Sequence, residues 1–427
     1  MRAKPGGMRK TLAQTVGGLP SAFWWLWATT LVNRLGGFVA TFLALYLTVG
    51  RGYSAAYAGL VVTLYAVGGT AANVVGGVLA DRIGRRPVLM AAQLATAGST
   101  MLLGFTDGQV AIAVVAVLVG FTSNASRPAV MAIMADVVPE PDRTRAFSLN
   151  FWAVNIGFGA AAAVAGLVAE RSFLPLFIGE AAATLVCAFV VYWRIPETRP
   201  AADAQQDAEG RSPRGGAVWL DRPFLALTGL TALVCLTYQQ ASTTLPVSMA
   251  REGLSPAEFG LVIGVNGLLI VVLQIPVTRL VGVGGRGPLL VVASLLSGWG
   301  FGLLVFANDT WFYAFTVAVW TVGESILAPA AMDVATTLAP LGARGRYLGV
   351  YSLSSSLPAL VGPAAGGWLF DHVGADVIWL GCGGLGTAAA IGYALLVRNQ
   401  RVRRTAKPVA TAPPTPVDSP PGPIREI

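Results

Sequence analysis

Five ionisable residues stand inside long apolar runs of this 427-residue chain: Arg34, Arg127, Glu180, Glu324 and Asp333. An ionised group at the centre of a bilayer costs at least about 2.5–3.5 kcal/mol, so each of them should face a cavity or a partner. Glu324 is the sharpest candidate. A carboxyl in a low-dielectric site can exist neutral or charged near physiological pH, and could carry a proton across; the plain alternative is a hydrogen-bonded structural glutamate. For Arg34 three roles stay open: tuning Glu324, binding an anionic group, or bracing backbone carbonyls. Arg127 precedes Pro128, whose ring frees a carbonyl one turn earlier, so it either points into a cavity or braces that kink. Glu180 reads as a structural partner, and Asp333 as an interface or gate residue.

The elements that must hold these groups follow from composition. The chain is 55% hydrophobic and 12% charged, with mean hydropathy +0.65. A soluble domain carries about 25% charged residues, so most of this surface is dissolved in lipid. A spanning helix needs roughly 20 apolar residues, and the length accommodates twelve with short loops. Net charge +8 does not imply nucleic acid, because basic residues collect in cytoplasmic loops. Cys187, Cys235 and Cys382 each sit alone in an apolar run, with neither disulfide nor metal spacing. The sequence has no G-x-x-x-x-G-K-[ST] phosphate loop and no Ser-His-Asp or His cluster; His372 is a lone loop residue. The expectation is therefore a multi-span membrane protein and not an enzyme, without cofactor or metal.

Punctuation divides the chain into a cytoplasmic segment 1–20, a six-span bundle 21–194, a polar linker 195–221, a second six-span bundle 222–397 and a basic, Pro-rich tail 398–427. With the N-terminus inside, 24 of the 29 Lys and Arg fall in cytoplasmic segments, which places both termini inside the cell. The two bundles repeat at one offset. Pro139, Arg143 and Arg145 recur 201 residues later as Pro340, Arg344 and Arg346, and Ser54, Gly59 and Leu60 as Ser255, Gly260 and Leu261. Six spans restore the starting side, so the halves are parallel. Glu324 has Ser123 as its mate and breaks that symmetry.

Between spans 2 and 3 runs Gly77-Val-Leu-Ala-Asp81-Arg82-Ile-Gly84-Arg85-Arg86-Pro87. Its spacing resembles the signature loop of the major facilitator superfamily of secondary transporters, and the repeat fits that family's two halves. The resemblance, closest to the twelve-helix drug:proton antiporter branch, implies an all-α membrane protein of two pseudo-symmetric bundles with a substrate site between them near mid-membrane. It implies a gating network in which Gly77, Asp81, Arg82, Gly84, Arg85 and Arg86 work with Asp136 at the inner end of span 4. It also implies a cavity lined by spans 1, 4, 7 and 10, whose polar residues here include Asn33, Ser123, Asn124, Tyr238, Gln239 and Gln240. Close helix contact falls to Gly362, Pro363, Gly366 and Gly367 in span 11.

The chain departs from that branch in places. Gly282 replaces aspartate in the second copy of the loop. Ala116 stands where the branch carries an arginine tied to proton transfer; Arg127, three turns deeper, is the candidate substitute. The implied activity is alternating-access, proton-coupled export of a small amphipathic or drug-like compound by a monomer in the plasma membrane. The alternative is import of a small polar solute such as a sugar or organic acid. Arg34 with Arg127 would favour an anionic substrate, the aromatic and uncharged lining a hydrophobic one.

Overall fold

A computed structural model describes residues 17–198, 217–283, 285–340 and 343–405. The N-terminal segment up to residue 16, most of the linker and the end of the tail lie outside the described residues. Among those residues every regular element is a helix. Lipid offers backbone N–H and C=O groups no partner, so a spanning segment must satisfy them within itself.

The first half contains α1 (Ser21–Gly36), α2 (Val39–Leu45), α3 (Ala55–Ile83), α4 (Arg85–Phe105), α5 (Gln109–Val137), α6 (Arg143–Ala169) and α7 (Leu174–Arg194). The second contains α8 (Arg222–Tyr238), α9 (Thr244–Arg251), α10 (Pro256–Val283), α11 (Arg286–Gly302), α12 (Thr310–Leu338), α13 (Arg344–Tyr351), α14 (Leu353–His372) and α15 (Ala375–Thr405). The helix ends agree with the sequence punctuation. Ser54 and Asp309 accept backbone N–H groups as N-caps, and Gly108 turns the chain at φ +86° before α5.

Three spans are not continuous. The first breaks between α1 and α2, and the seventh between α8 and α9, where Gln239–Ala241 tighten into a 3₁₀ turn. The breaks sit at equivalent places of the repeat. The eleventh is divided at Ser352 into α13 and α14. Eleven segments among the described residues are long and apolar enough to span a membrane, including Ser21–Gly50 as one. The segment missing from those eleven is α14, where serines and two prolines dilute the hydropathy.

The halves meet through two crossing pairs, α3 with α14 and α6 with α10. Both crossings are built on glycine. A Cβ added to Gly59 would stand 2.2 Å from the Pro363 carbonyl oxygen, and one on Gly367 2.3 Å from that of Ala55. In the other crossing a Cβ on Gly260 would stand 2.3 Å from the Ala162 oxygen, and one on Gly166 2.5 Å from that of Pro256. Each residue of the second set is related to its counterpart in the first by the 201-residue offset. The sequence pattern shows an eroded glycine motif in span 5; Gly166, the glycine that survives there, makes the contact. Gly362 and Gly366 face within their own half instead, against Gln239 and Gln240.

Other contacts across this junction are the Phe42–Phe259 ring pair at 5.2 Å, the Ala364 N–H on Thr63 Oγ1 at 3.1 Å and the Ala56 N–H on Asp371 at 2.6 Å. Asp371 also pairs with Arg251, of its own half, at 3.1 Å. All of these lie towards the end that carries Gly59. At the opposite end, which carries Asp81, Met131, Phe147 and Phe151 stay exposed.

Candidate functional site

A cavity of about 460 Å³ lies wholly within the first half. Helices α1, α3, α4, α5, α6 and α7 line it. Its lining mixes polar side chains, Asn33, Arg34, Gln93, Asn124, Arg127 and Asn150, with apolar ones, Val130, Met131, Phe147, Phe151 and Val154. Arg34, Arg127, Asn33 and Asn124, expected from sequence, come together here. Glu324, Tyr238 and Gln239 do not; they stand in the second half. This cavity is lined from the first half alone, whereas the resemblance implies a site between the bundles.

The break between α1 and α2 shapes the cavity. Gly36 packs so closely on α7 that a Cβ would meet the Ala183 Cβ at 2.6 Å. The helix resumes after Phe38, leaving N–H groups that need acceptors. Glu180 Oε2, reaching from α7, accepts both the Phe38 and the Val39 N–H at 2.8 Å. Glu180 is buried and belongs to the cavity lining. Sequence reasoning saw a structural partner in it and missed its place at the site; the visible signal was a deep acid opposite a Gly-Gly pair. Gln93, Asn150 and Tyr65 were missed as well, since a polar residue on an apolar helix does not reveal which neighbour it faces.

The cavity carries two guanidinium groups and one carboxylate, and the arginines repel each other there. Among the described residues neither arginine forms a salt bridge. Tyr65 and Ser123 hydroxyls are 3.2 Å apart. The same two positions in the second half are Asn266 and Glu324, and they also bond: Asn266 Nδ2 donates to Glu324 Oε2 at 3.0 Å and to Thr321 Oγ1 at 3.0 Å. One polar bridge between equivalent helices therefore occurs twice, with a carboxyl group in the second half alone. Nearby, the Tyr238 hydroxyl bonds Ser297 at 2.6 Å.

At the Asp81 end, Gly84 holds φ +114°, in the left-handed region open to glycine. The turn presents the Arg85 and Arg86 N–H groups to Glu197, at 3.0 and 3.2 Å. Glu197, assigned from sequence to the linker, thus caps α4. Arg85 forms an ion pair with Asp136 and also donates to the Ala132 carbonyl at 3.3 Å. Its repeat mate Arg286 pairs with Asp333 and donates to Thr337 at 3.1 Å. Thr337 and Asp333 occupy the positions of Asp136 and Ala132, so the carboxylate has moved by one helical turn between the halves. Arg86 donates to the Tyr192 carbonyl, Asp81 and Arg82 lie exposed in the last turn of α3, and Gly77 faces Pro128.

Among the described residues no group of three or more His, Cys, Asp or Glu could hold a metal ion. The family model of the Major Facilitator Superfamily matches residues 26–252 and 227–426. The uncharacterized MFS-type transporter YttB of Bacillus subtilis is 30% identical over 338 residues, covering 77% of this chain and 83% of that protein. A Na(+), Li(+), K(+)/H(+) antiporter of Planococcus maritimus is 24% identical, covering 80% and 90%. The multidrug resistance protein MdtH of Klebsiella pneumoniae is 24% identical, covering 78% and 84%. Among solved structures, a peptide transporter POT in complex with sulfate superposes with TM-score 0.74 at 18% identity, covering 91% of this chain and 96% of that one. At that identity the likeness concerns the fold.

Proposed function

The chain belongs to the Major Facilitator Superfamily, and from that premise we propose that it is a plasma-membrane secondary transporter exporting a small amphipathic compound in exchange for protons. It works by alternating access, with both termini in the cytoplasm and twelve spans in two bundles. The observation that carries this reading is the one-sided junction. Glycine crossings related by the repeat close the Gly59 end, while a cavity lined by both polar and apolar side chains lies below them. The positive charge of the loops puts the Asp81 end in the cytoplasm, so the conformation is inward-open. The size of the cavity suits a drug-sized ligand.

Glu324 is the proton carrier in this reading. It is the carboxyl member of the duplicated bridge, and Asn266 holds it. The arginine that the antiporter branch uses is absent at Ala116, so coupling rests on a different group. Names among the relatives, a cation/proton antiporter and a multidrug resistance protein, favour exchange and export. The amide-rich wall favours a second reading, proton-driven uptake of a small polar solute such as an organic acid.

Everted vesicles containing a pH-sensitive dye test both. In the first reading, adding a substrate from a panel of amphipathic compounds dissipates a preformed proton gradient, and Glu324→Gln abolishes the response while the protein still binds the compound. Normal coupled flux in Glu324→Gln removes the carrier assignment. Inward, pH-independent flux refutes export.

A further inference from the structure

We infer that the cavity of the first half is a binding site for an amphipathic organic anion that also carries a hydrogen-bond donor, its acidic group held by Arg34 and Arg127. The inference rests on the transport reading for its purpose, but not for its evidence. Two guanidinium groups share a cavity with a single carboxylate, and Glu180 is already engaged with the Phe38 and Val39 N–H groups. Neither arginine has a salt-bridge partner among the described residues. Like charges in a low-dielectric pocket repel, and a carboxylate, sulfonate or phosphate between them offsets both. A cationic compound would add a third positive charge.

A second, independent observation fixes the rest of the ligand. Gln93 and Asn150 line the same cavity, each 3% exposed, and each leaves its side-chain oxygen without a partner. Buried acceptors of this kind call for an N–H or O–H donor. Phe147, Phe151, Met131 and Val154 line the same cavity and give it apolar surface. The three demands describe one ligand class: a small apolar body, an acidic group and a donor. The same residues assign the specificity to the first half, leaving the second half to the proton.

Equilibrium dialysis on the full-length protein in nanodiscs tests this without flux. The probes are radiolabelled para-hydroxyphenylacetate, its neutral amide and the cation tyramine, which share ring and hydroxyl. The expected order is the anion at least about tenfold tighter than the amide, with tyramine weakest. Arg127→Gln, at an exposed position where the fold is not at stake, should remove the preference for anion over amide; Arg34→Lys, which keeps the charge, should retain it. Phenylacetate, lacking the donor, should bind more weakly than its hydroxylated parent, and Asn150→Ala should narrow that gap. Equal binding of the three probes, a preference for tyramine, no binding of the anion, or an unchanged preference in Arg127→Gln overturns the inference. Intact anion binding with no flux in vesicles would refute the transport reading and leave this one standing.

Discussion

Replacing Gly59 by alanine should pry open the end of the molecule at which the halves meet. The added Cβ would lie 2.2 Å from the Pro363 carbonyl oxygen, and real Cβ contacts essentially never fall below 3.0 Å. Helix α14 or α3 must therefore withdraw by at least 0.8 Å. The obstacle is backbone on a helix, which cannot rotate away as a side-chain tip can. Overpacking of this kind costs roughly 1–3 kcal/mol. In the alternating-access cycle proposed above, the cost falls on this sealed state, and it corresponds to a shift of about 5–150-fold in the equilibrium. Gly260→Ala should act equally, because its Cβ meets the Ala162 oxygen at 2.3 Å in the equivalent crossing. Spin labels at Gln109 and Trp311, exposed at the outset of α5 and α12, report the separation of the halves once the three cysteines are replaced by alanine. Pulsed dipolar spectroscopy should show a longer-distance population growing in both variants. Gly98→Ala, with nothing within 4 Å of the new atom, is the control and should not move the distribution. Unchanged distances in both variants with the fold intact, or an equal shift in the control, would refute the reasoning.

Asp371→Asn weakens its acceptance of the Ala56 N–H and its pairing with Arg251; the same labels should separate in the same direction, by a factor of a few. Glu180→Ala leaves the Phe38 and Val39 N–H groups without their side-chain acceptor, at roughly 1–3 kcal/mol; thermal unfolding in detergent should begin several degrees lower, and an unchanged midpoint would contradict the capping role. Glu197→Ala uncaps α4 at about 1 kcal/mol, and should be detectable as faster amide exchange at Arg85 and Arg86, with no change there opposing the assignment.

Local chemistry was legible in the sequence, and partnership across long separations was only partly so. Ser54, Gly108 and Asp309 fix helix ends by caps and turns that need no tertiary context. The repeat offset made Arg85 and Arg286 equivalent, whereas Asp136 was expected from the resemblance of the loop to the family signature; the offset alone would have pointed to Thr337 and not to Asp333 as the partner of Arg286. Arg34 and Arg127 announced themselves because charge in an apolar run demands an explanation. Glu180 could not be read fully: its partners are amides 141 and 142 residues away, released by a helix break that α7 itself helps to impose. For the same reason the three roles open to Arg34, tuning Glu324 among them, could not be narrowed: a one-dimensional pattern gives depth in the membrane but not azimuth. Gln239 packs against Gly362 of its own half and is half-buried.

The duplicated bridge, Tyr65 to Ser123 and Asn266 to Glu324, has a consequence for redesign. Each bridge is confined to one half, whereas every glycine crossing needs residues from both. Substitutions at positions 65, 123, 266 and 324 therefore leave the glycine contacts between the halves in place, so the polar bridges and the seam that joins the halves can be altered separately.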